Sequence, residues 1–367
     1  MRRFGRMAVG MAMVLGATGA PATGAPALRT AFTSDRVLNA VTVSDGGRVF
    51  VSFPYWGGGD RPGPSVTELR PDGTPHAYPD EAWNNWLSSH DDAHAFVRVN
   101  AIRIGPDGRL WIVDSGEANV GGQENSPTGA KPKLVVIDLG TNGVVKTIPL
   151  DRGVTSRSYV DDLRFHDHML YLTDAGDPAL IVVDQKTGTI RRVLSHAPST
   201  TDERPMLAEG RVLTTGGKPA RIHADQLETS PDGKRLYFQA SSGPLYVVPT
   251  AALDDAGLSE TELEKRVRPF CDTPTTGGTA IDGDGNLYVS DVDKLRILKI
   301  TPQGRAHVLV ADPRLVWADA MWIDNRGTLW IPAVQLDRTA TFQPDGKSRV
   351  HLPVAIYTMN LHLKPSR

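Results

Sequence analysis

Five residues stand out because their side chains could bind a cation or carry a proton, and because each opens the same kind of phrase. The phrases read NAVTVSDGGRVFVSF from Asn39, NAIRIGPDGRLWIVD from Asn100, DDLRFHDHMLYLTD from Asp161, DQLETSPDGKRLYFQ from Asp225 and DAMWIDNRGTLWIPA from Asp319. A sixth, GGTAIDGDGNLYVSD from Gly277, has no side chain at its first position. If the phrases are structural repeats, their first residues converge. Three carboxylates crowded together repel, so either a cation sits among them or they hold protons more tightly than usual. Oxygen donors without a Cys or an obligatory His favour Ca²⁺, with Mg²⁺ or Mn²⁺ as alternatives, over zinc. Such a cation would polarise a carbonyl and orient water. A plainer use competes: polar residues at strand starts also satisfy free backbone groups and channel water.

The elements that must position these residues follow from the phrases. Each is strand, turn, strand, repeated at roughly 40 to 65 residues, the signature of a β-propeller whose channel rim would carry the first residues. Most phrases precede a second hairpin: SVTELRPDGTPHAYP from Ser65, KLVVIDLGTNGVVKTIPL from Lys133, ALIVVDQKTGTIRRVLS from Ala179, RILKITPQGRAHVLVA from Arg296 and TATFQPDGKSRVHLP from Thr339. Two hairpins make a four-stranded blade, and six blades close into a ring without free sheet edges. The expected fold is therefore all-β, a single six-bladed β-propeller over residues 28–367 with short helical insertions. Trp111, Tyr171, Tyr288 and Trp330 alternate with the inner apolar residues and should wedge between blades. Residues 79–96 have helical character, residues 116–132 read as a polar loop, and residues 251–268 read as a short helix with Ser259 and Glu262 as a capping box.

The bulk of the chain narrows the function. It has 367 residues, 40% hydrophobic and 22% charged, with formal net charge -2 and no long run of one sign. No basic stripe is present to neutralise phosphates, which argues against nucleic acid as a partner. Nor does any apolar surface stripe point to a protein partner. Arg2, Arg3 and Arg6, an apolar run over residues 7–15 and Ala25-Pro26-Ala27 read as a signal peptide over residues 1–27, hence a secreted or periplasmic protein. No segment is long enough to span a membrane. The lone Cys271 reads as a small buried hydrophobe. His90 and His94 would share one face of a helix, a weak metal-binding pattern, as is His166 with His168. His223 lies two residues before Asp225 and is a secondary proton carrier at most. Gly57-Gly58-Gly59 suits a tight passage over the channel, and no nucleophile elbow, phosphate loop or dinucleotide fingerprint occurs in a strand–helix setting.

Several stretches resemble the major royal jelly protein/yellow family in a bacterial form: FPYW from Phe53, VNAIRIGPDGRLWIVDSG from Val99, SYVDDLRFHDHMLYLTDAGDPALIVVD from Ser158 and SPDGKRLYFQASSGPLYVVPT from Ser230. That resemblance implies a propeller that binds a small amine, aromatic or sugar in its channel, with Trp56 and Asp319 as contacts. A more distant similarity, to SMP-30/gluconolactonase propellers, implies a channel cation and lactone hydrolysis. Where those enzymes have a Glu ligand this chain has Asn39, and where they have an Asn ligand it has Asp161. Asp225 matches their ligand and proton-transfer Asp, and Arg98-Val99-Asn100 matches their substrate-contacting Arg-x-Asn.

Overall fold

The structure is a computed structural model that describes residues 27–56, 63–116 and 129–366. The signal-peptide segment apart from Ala27, the Gly57-Gly58-Gly59 passage and most of the polar loop at 116–132 lie outside the described residues.

Alternating apolar residues and turn-forming Asp-Gly pairs produce six four-stranded antiparallel sheets, arranged as six blades. Blade one comprises Val41–Val43, Val49–Ser52, Val66–Leu69 and Pro75–Ala77; blade two comprises Val99–Ile104, Leu110–Asp114, Lys133–Asp138 and Gly143–Pro149. Blade three is Val160–His166, Met169–Asp174, Ala179–Asp184 and Thr189–Val193, and blade four is Ala224–Thr229, Arg235–Ala240, Leu245–Pro249 and Arg268–Cys271. Blade five runs through Thr279–Ile281, Leu287–Asp291, Arg296–Ile300 and Ala306–Ala311.

Blade six departs from expectation. Its third strand is not the hairpin at 339–353 but Val354–Asn360, and its outermost strand is Arg29–Ser34 from the other end of the described chain. Residues 336–342 instead make two 3-10 turns, Leu336–Arg338 and Ala340–Phe342. Gln335 starts them in the left-handed region at φ 57°, and apolar alternation resumes only at Val354. The helical reading of 79–96 shrinks to one turn, Trp86–Ser89, because His90 ends it in the left-handed conformation. His90 and His94 therefore share no helix face, and His94 pairs with Asp91 at 3.0 Å. The other helical segment is two short helices, Thr250–Asp254 and Glu260–Glu264, with the Ser259–Glu262 capping box in place.

Hydroxyls at the inner ends of the second strands couple successive blades. Ser52 Oγ donates to Asn100 O (2.9 Å), Ser115 Oγ to Val160 O (2.6 Å) and Thr173 Oγ1 to Asp225 O (2.7 Å). Beside them, buried Asp114 and Asp291 each receive a cation from the third strand, Lys133 (2.6 Å) and Arg296 (2.7 Å), and buried Asp174 receives Arg192 (2.6 Å) from the fourth. The wedge aromatics are pinned by polar heads, as Trp111 Nε1 donates to Asp107 (3.1 Å), Tyr288 OH to Asp282 (2.9 Å) and Trp330 Nε1 to Asp324 (2.9 Å). Between blades three and four, residues 206–220 form an arm of two small hairpins, Leu207–Ala208 with Arg211–Val212 and Thr214–Thr215 with Lys218–Pro219.

Candidate functional site

The innermost strands of the blades all start at one end of the channel, here termed the upper mouth. In blades two, three and four the register slips there: between Val99 and Ile102, between Val160 and Leu163, and between Ala224 and Gln226. The slips are β-bulges, which re-aim side chains and recur beside functional sites. Asn100, Asp161 and Asp225 sit in the three bulges. At the fifth position only glycine fits: a Cβ on Gly277 would stand 2.6 Å from Ala318 O and 2.8 Å from the Trp317 indole nitrogen.

Hydrogen bonds connect the site from blade one to blade three. Asn39 Nδ2 donates to Asn100 O (3.1 Å), and Asn100 Nδ2 donates to Asp161 Oδ1 (2.8 Å). Asn100 Oδ1 accepts from Tyr159 OH (2.7 Å), whose oxygen accepts from Trp56 Nε1 (3.2 Å). Arg98 lies close enough to Tyr159 to act on its charge, while burial drives the Tyr159 phenol well above its usual range. On the other side, Ser241 Oγ (2.5 Å) and Gln226 Nε2 (2.6 Å) both donate to Asp225 Oδ2. Trp317 Nε1 donates to Asp319 Oδ2 (3.0 Å) and Ala320 N to its Oδ1 (2.7 Å).

The three carboxyls feel one another. Burial, then Asp225, then Asp319 push the Asp161 carboxyl far up. Burial and then Asp225 do the same to Asp319. Burial raises Asp225 to about 7, although Ser241 and Asp161 hydrogen bonds favour its charged form. Asp161 and Asp225 are within hydrogen-bonding reach of each other. The site thus holds protons that isolated aspartates would have lost, and Asp225 is poised to exchange one near neutrality.

Asp162 belongs to a different network farther down the channel. It bonds Arg103 (2.9 Å) and Arg164 (2.7 Å), and Arg164 also grips Glu228 with two hydrogen bonds of 2.8 and 2.6 Å. Burial opposes ionisation of Asp162, but the two guanidiniums outweigh it and hold the carboxyl below the usual range. A cavity of about 440 Å³ opens at this lower mouth, lined by Arg103, Arg164, Glu228, Phe165 and Trp322.

All the residues expected at the site are brought together at the upper mouth: Asn39, Arg98, Asn100, Asp161, Asp225, Asp319 and Trp56. His223 is not one of them in hydrogen-bond terms: its Nδ1 accepts from Asp202 N (3.0 Å), and burial lowers its pKa. His166 and His168 lie in the turn at the other end of the blade-three inner strands, and His168 faces Asp184 at 3.8 Å. Among the described residues, no group of three or more His, Cys, Asp or Glu is arranged to hold a metal ion. Tyr159, Gln226 and Ser241 were not foreseen. A Tyr two residues before a repeat start and a Ser ending a strand are too ordinary to flag from sequence.

Fold and site define a six-bladed propeller with an acid-lined channel mouth. The chain belongs to the major royal jelly protein family, whose model matches residues 97–362. Major royal jelly protein 1 of Apis mellifera is 24% identical over 222 residues, covering 56% of this chain and 48% of that protein. Major royal jelly protein 7 of the same species is 24% identical over 263 residues, covering 63% and 56%. The chain spans about half the length of these curated relatives. Among solved structures, a gluconolactonase from Xanthomonas campestris superposes with TM-score 0.54 at 14% identity, covering 93% of this chain and 90% of that one. At that identity the likeness shows the fold alone. Among the described residues no helix is long and apolar enough to cross a membrane.

Proposed function

We propose that this chain is a hydrolase of small lactones that works with a divalent cation, Ca²⁺ in the first instance, at the upper mouth of its channel. The observation that supports it most is the convergence of Asp161, Asp225 and Asp319 within electrostatic reach of one another. The donors suit a hard cation: two carboxylates converge, and Asn39 Oδ1 is buried without a hydrogen-bond partner. Asn39, Asp161 and Asp225 would hold the ion, which when bound supplies Lewis acidity to a carbonyl oxygen. Asp225 takes the proton of a water whose oxygen bonds to the lactone carbonyl carbon, then returns it to the alkoxide released as the ring opens. Arg98 and Asn100 orient the polar groups of the substrate, and Trp56 gives a flat wall beside Tyr159.

A second reading, a non-catalytic propeller that holds a small molecule against Trp56 and Asp319, draws on two observations. Asn39 is neutral, and the Trp56–Tyr159–Asn100–Asp161 chain is satisfied internally. Metal content and turnover of a lactone panel, before and after chelation and in Asp225→Ala, separate the two. The hydrolase reading expects a stoichiometric ion, activity lost on chelation, and a drop of about 100-fold or more in the variant. Full activity in both conditions would overturn it. Stoichiometric binding without turnover would establish the second reading.

An exported destination accompanies both readings, because residues 1–27 read as a signal peptide. Mass spectrometry of the chain recovered outside the cytoplasm should show a mature start at residue 28. An intact start on exclusively cytoplasmic protein would refute export.

A further inference from the structure

The arm at residues 206–220 leaves the ring between blades three and four and reaches blade six, across the upper face. Its root is clamped: Asp202 accepts from Ile222 N (3.0 Å) and Arg221 Nη1 (3.2 Å). Along its course Leu207 N donates to Thr275 Oγ1 (2.8 Å) and Gly210 N to Asp293 Oδ1 (2.7 Å), both belonging to the blade-five region. Met206, Ala208 and Leu213 share one apolar cluster with Phe53, Trp317 and Phe342. Trp317 is the residue whose indole holds Asp319 of the channel site. Thr214–Thr215 of the arm packs against Ala340–Phe342, and the Phe342 ring stacks on Trp317 with centroids 6.3 Å apart, so the arm reaches the site's wall through Phe342.

The far end of the arm is held by charge. Glu209 accepts from Arg338 Nε (2.8 Å) and Nη2 (2.6 Å), and Arg211 donates to the carbonyls of Phe342 (3.1 Å) and Asp337 (2.5 Å). Asp337 lies among these groups with 1% of its surface exposed, and no donor reaches either carboxylate oxygen. Arg211 Nη2 stands 3.8 Å from it, and the Glu209 carboxyl is within hydrogen-bonding reach. An ionised Asp337 would be a buried charge facing a second carboxylate, which is costly. A protonated Asp337 donates to Glu209 and is satisfied.

We propose that residues 206–220 are a pH-governed lid on the channel site, held shut by one proton shared between Asp337 and Glu209 and released when that proton is lost. The proposal rests on the upper mouth being the functional site. The sign follows from linkage. Burial, then Glu209, raise Asp337 from 3.8 to about 7, so closure loses stability as pH climbs from about 4 to about 7. Glu209 is held low by Arg338, so its contribution fails only in acid, below 4.5. Closure is best at mildly acidic pH. The other charged groups facing the clasp are Arg211 on the arm, Arg338 on blade six, and Asp293 with its partner Lys294 on blade five. Asp293 is held below its usual range while Lys294 and Arg338 are held above theirs, so none of these three changes charge in that window.

Hydrogen–deuterium exchange of residues 207–219 in the full chain, corrected for intrinsic rates, tests this. Wild type should lose about tenfold or more protection between pH 5 and pH 8, the change that one pKa unit supplies. Asp337→Asn should show no pH dependence. Should that variant fail to fold, Glu209→Gln serves instead: with the like charge gone, the transition should move to lower pH. Equal wild-type protection at both pH values, or a wild-type pH profile in Asp337→Asn, would overturn the lid. Because exchange reads the arm alone, failure to find a cation or turnover would sink the hydrolase reading and leave this result standing.

Discussion

At the residue scale, Asp225 is in tension between function and stability. A buried acid whose pKa is raised to about 7 keeps its proton in the folded state after the unfolded chain has lost it. Its stabilising contribution is therefore complete below about 4 and lost as pH rises to about 7. Above that, and without a bound cation, the site carries uncompensated charge. In chelated, cation-free protein Asp225→Asn should accordingly raise the melting temperature at pH 8 by a few degrees, equivalent to about 1–3 kcal/mol, with little gain at pH 4.5. Calorimetry at the two pH values reads this directly, and an equal shift at both would disprove the electrostatic origin. The sequence revealed this residue because a repeat start locates it. It did not reveal the bulges that turn Asn100, Asp161 and Asp225 inward. A bulge is an unequal count on two paired strands, and neither strand alone encodes it.

At the element scale, each blade is a local object, which is why most of them could be read from turn residues and alternation. What holds a blade's third strand to its second is less local. Lys133, 5% exposed, reaches Asp114, 0% exposed, across 19 residues. Asp114 also accepts from the backbone of Val97, Arg98 and Gly116, so it fixes the chain that presents Arg98. Lys133→Met leaves that carboxylate buried without its cation and should cost about 3 kcal/mol, measurable by urea unfolding. A loss under about 0.5 kcal/mol would mean that the three backbone donors suffice.

At the scale of the whole molecule, the ring closes through a pairing that no window of sequence contains. Arg29 and Thr358 meet although they are 329 positions apart, and the expected hairpin at 339–353 was a local guess at a non-local strand. Bringing such distant segments together costs about 5 kcal/mol of loop entropy by the logarithmic rule. The order of events during synthesis follows from this. Blades one to five can form as the chain is made, each from neighbouring residues, but Arg29–Ser34 has no partner until Val354–Asn360 has been translated. The first strand among the described residues is the last to find its place, so the ring stays open until the ribosome has made its partner.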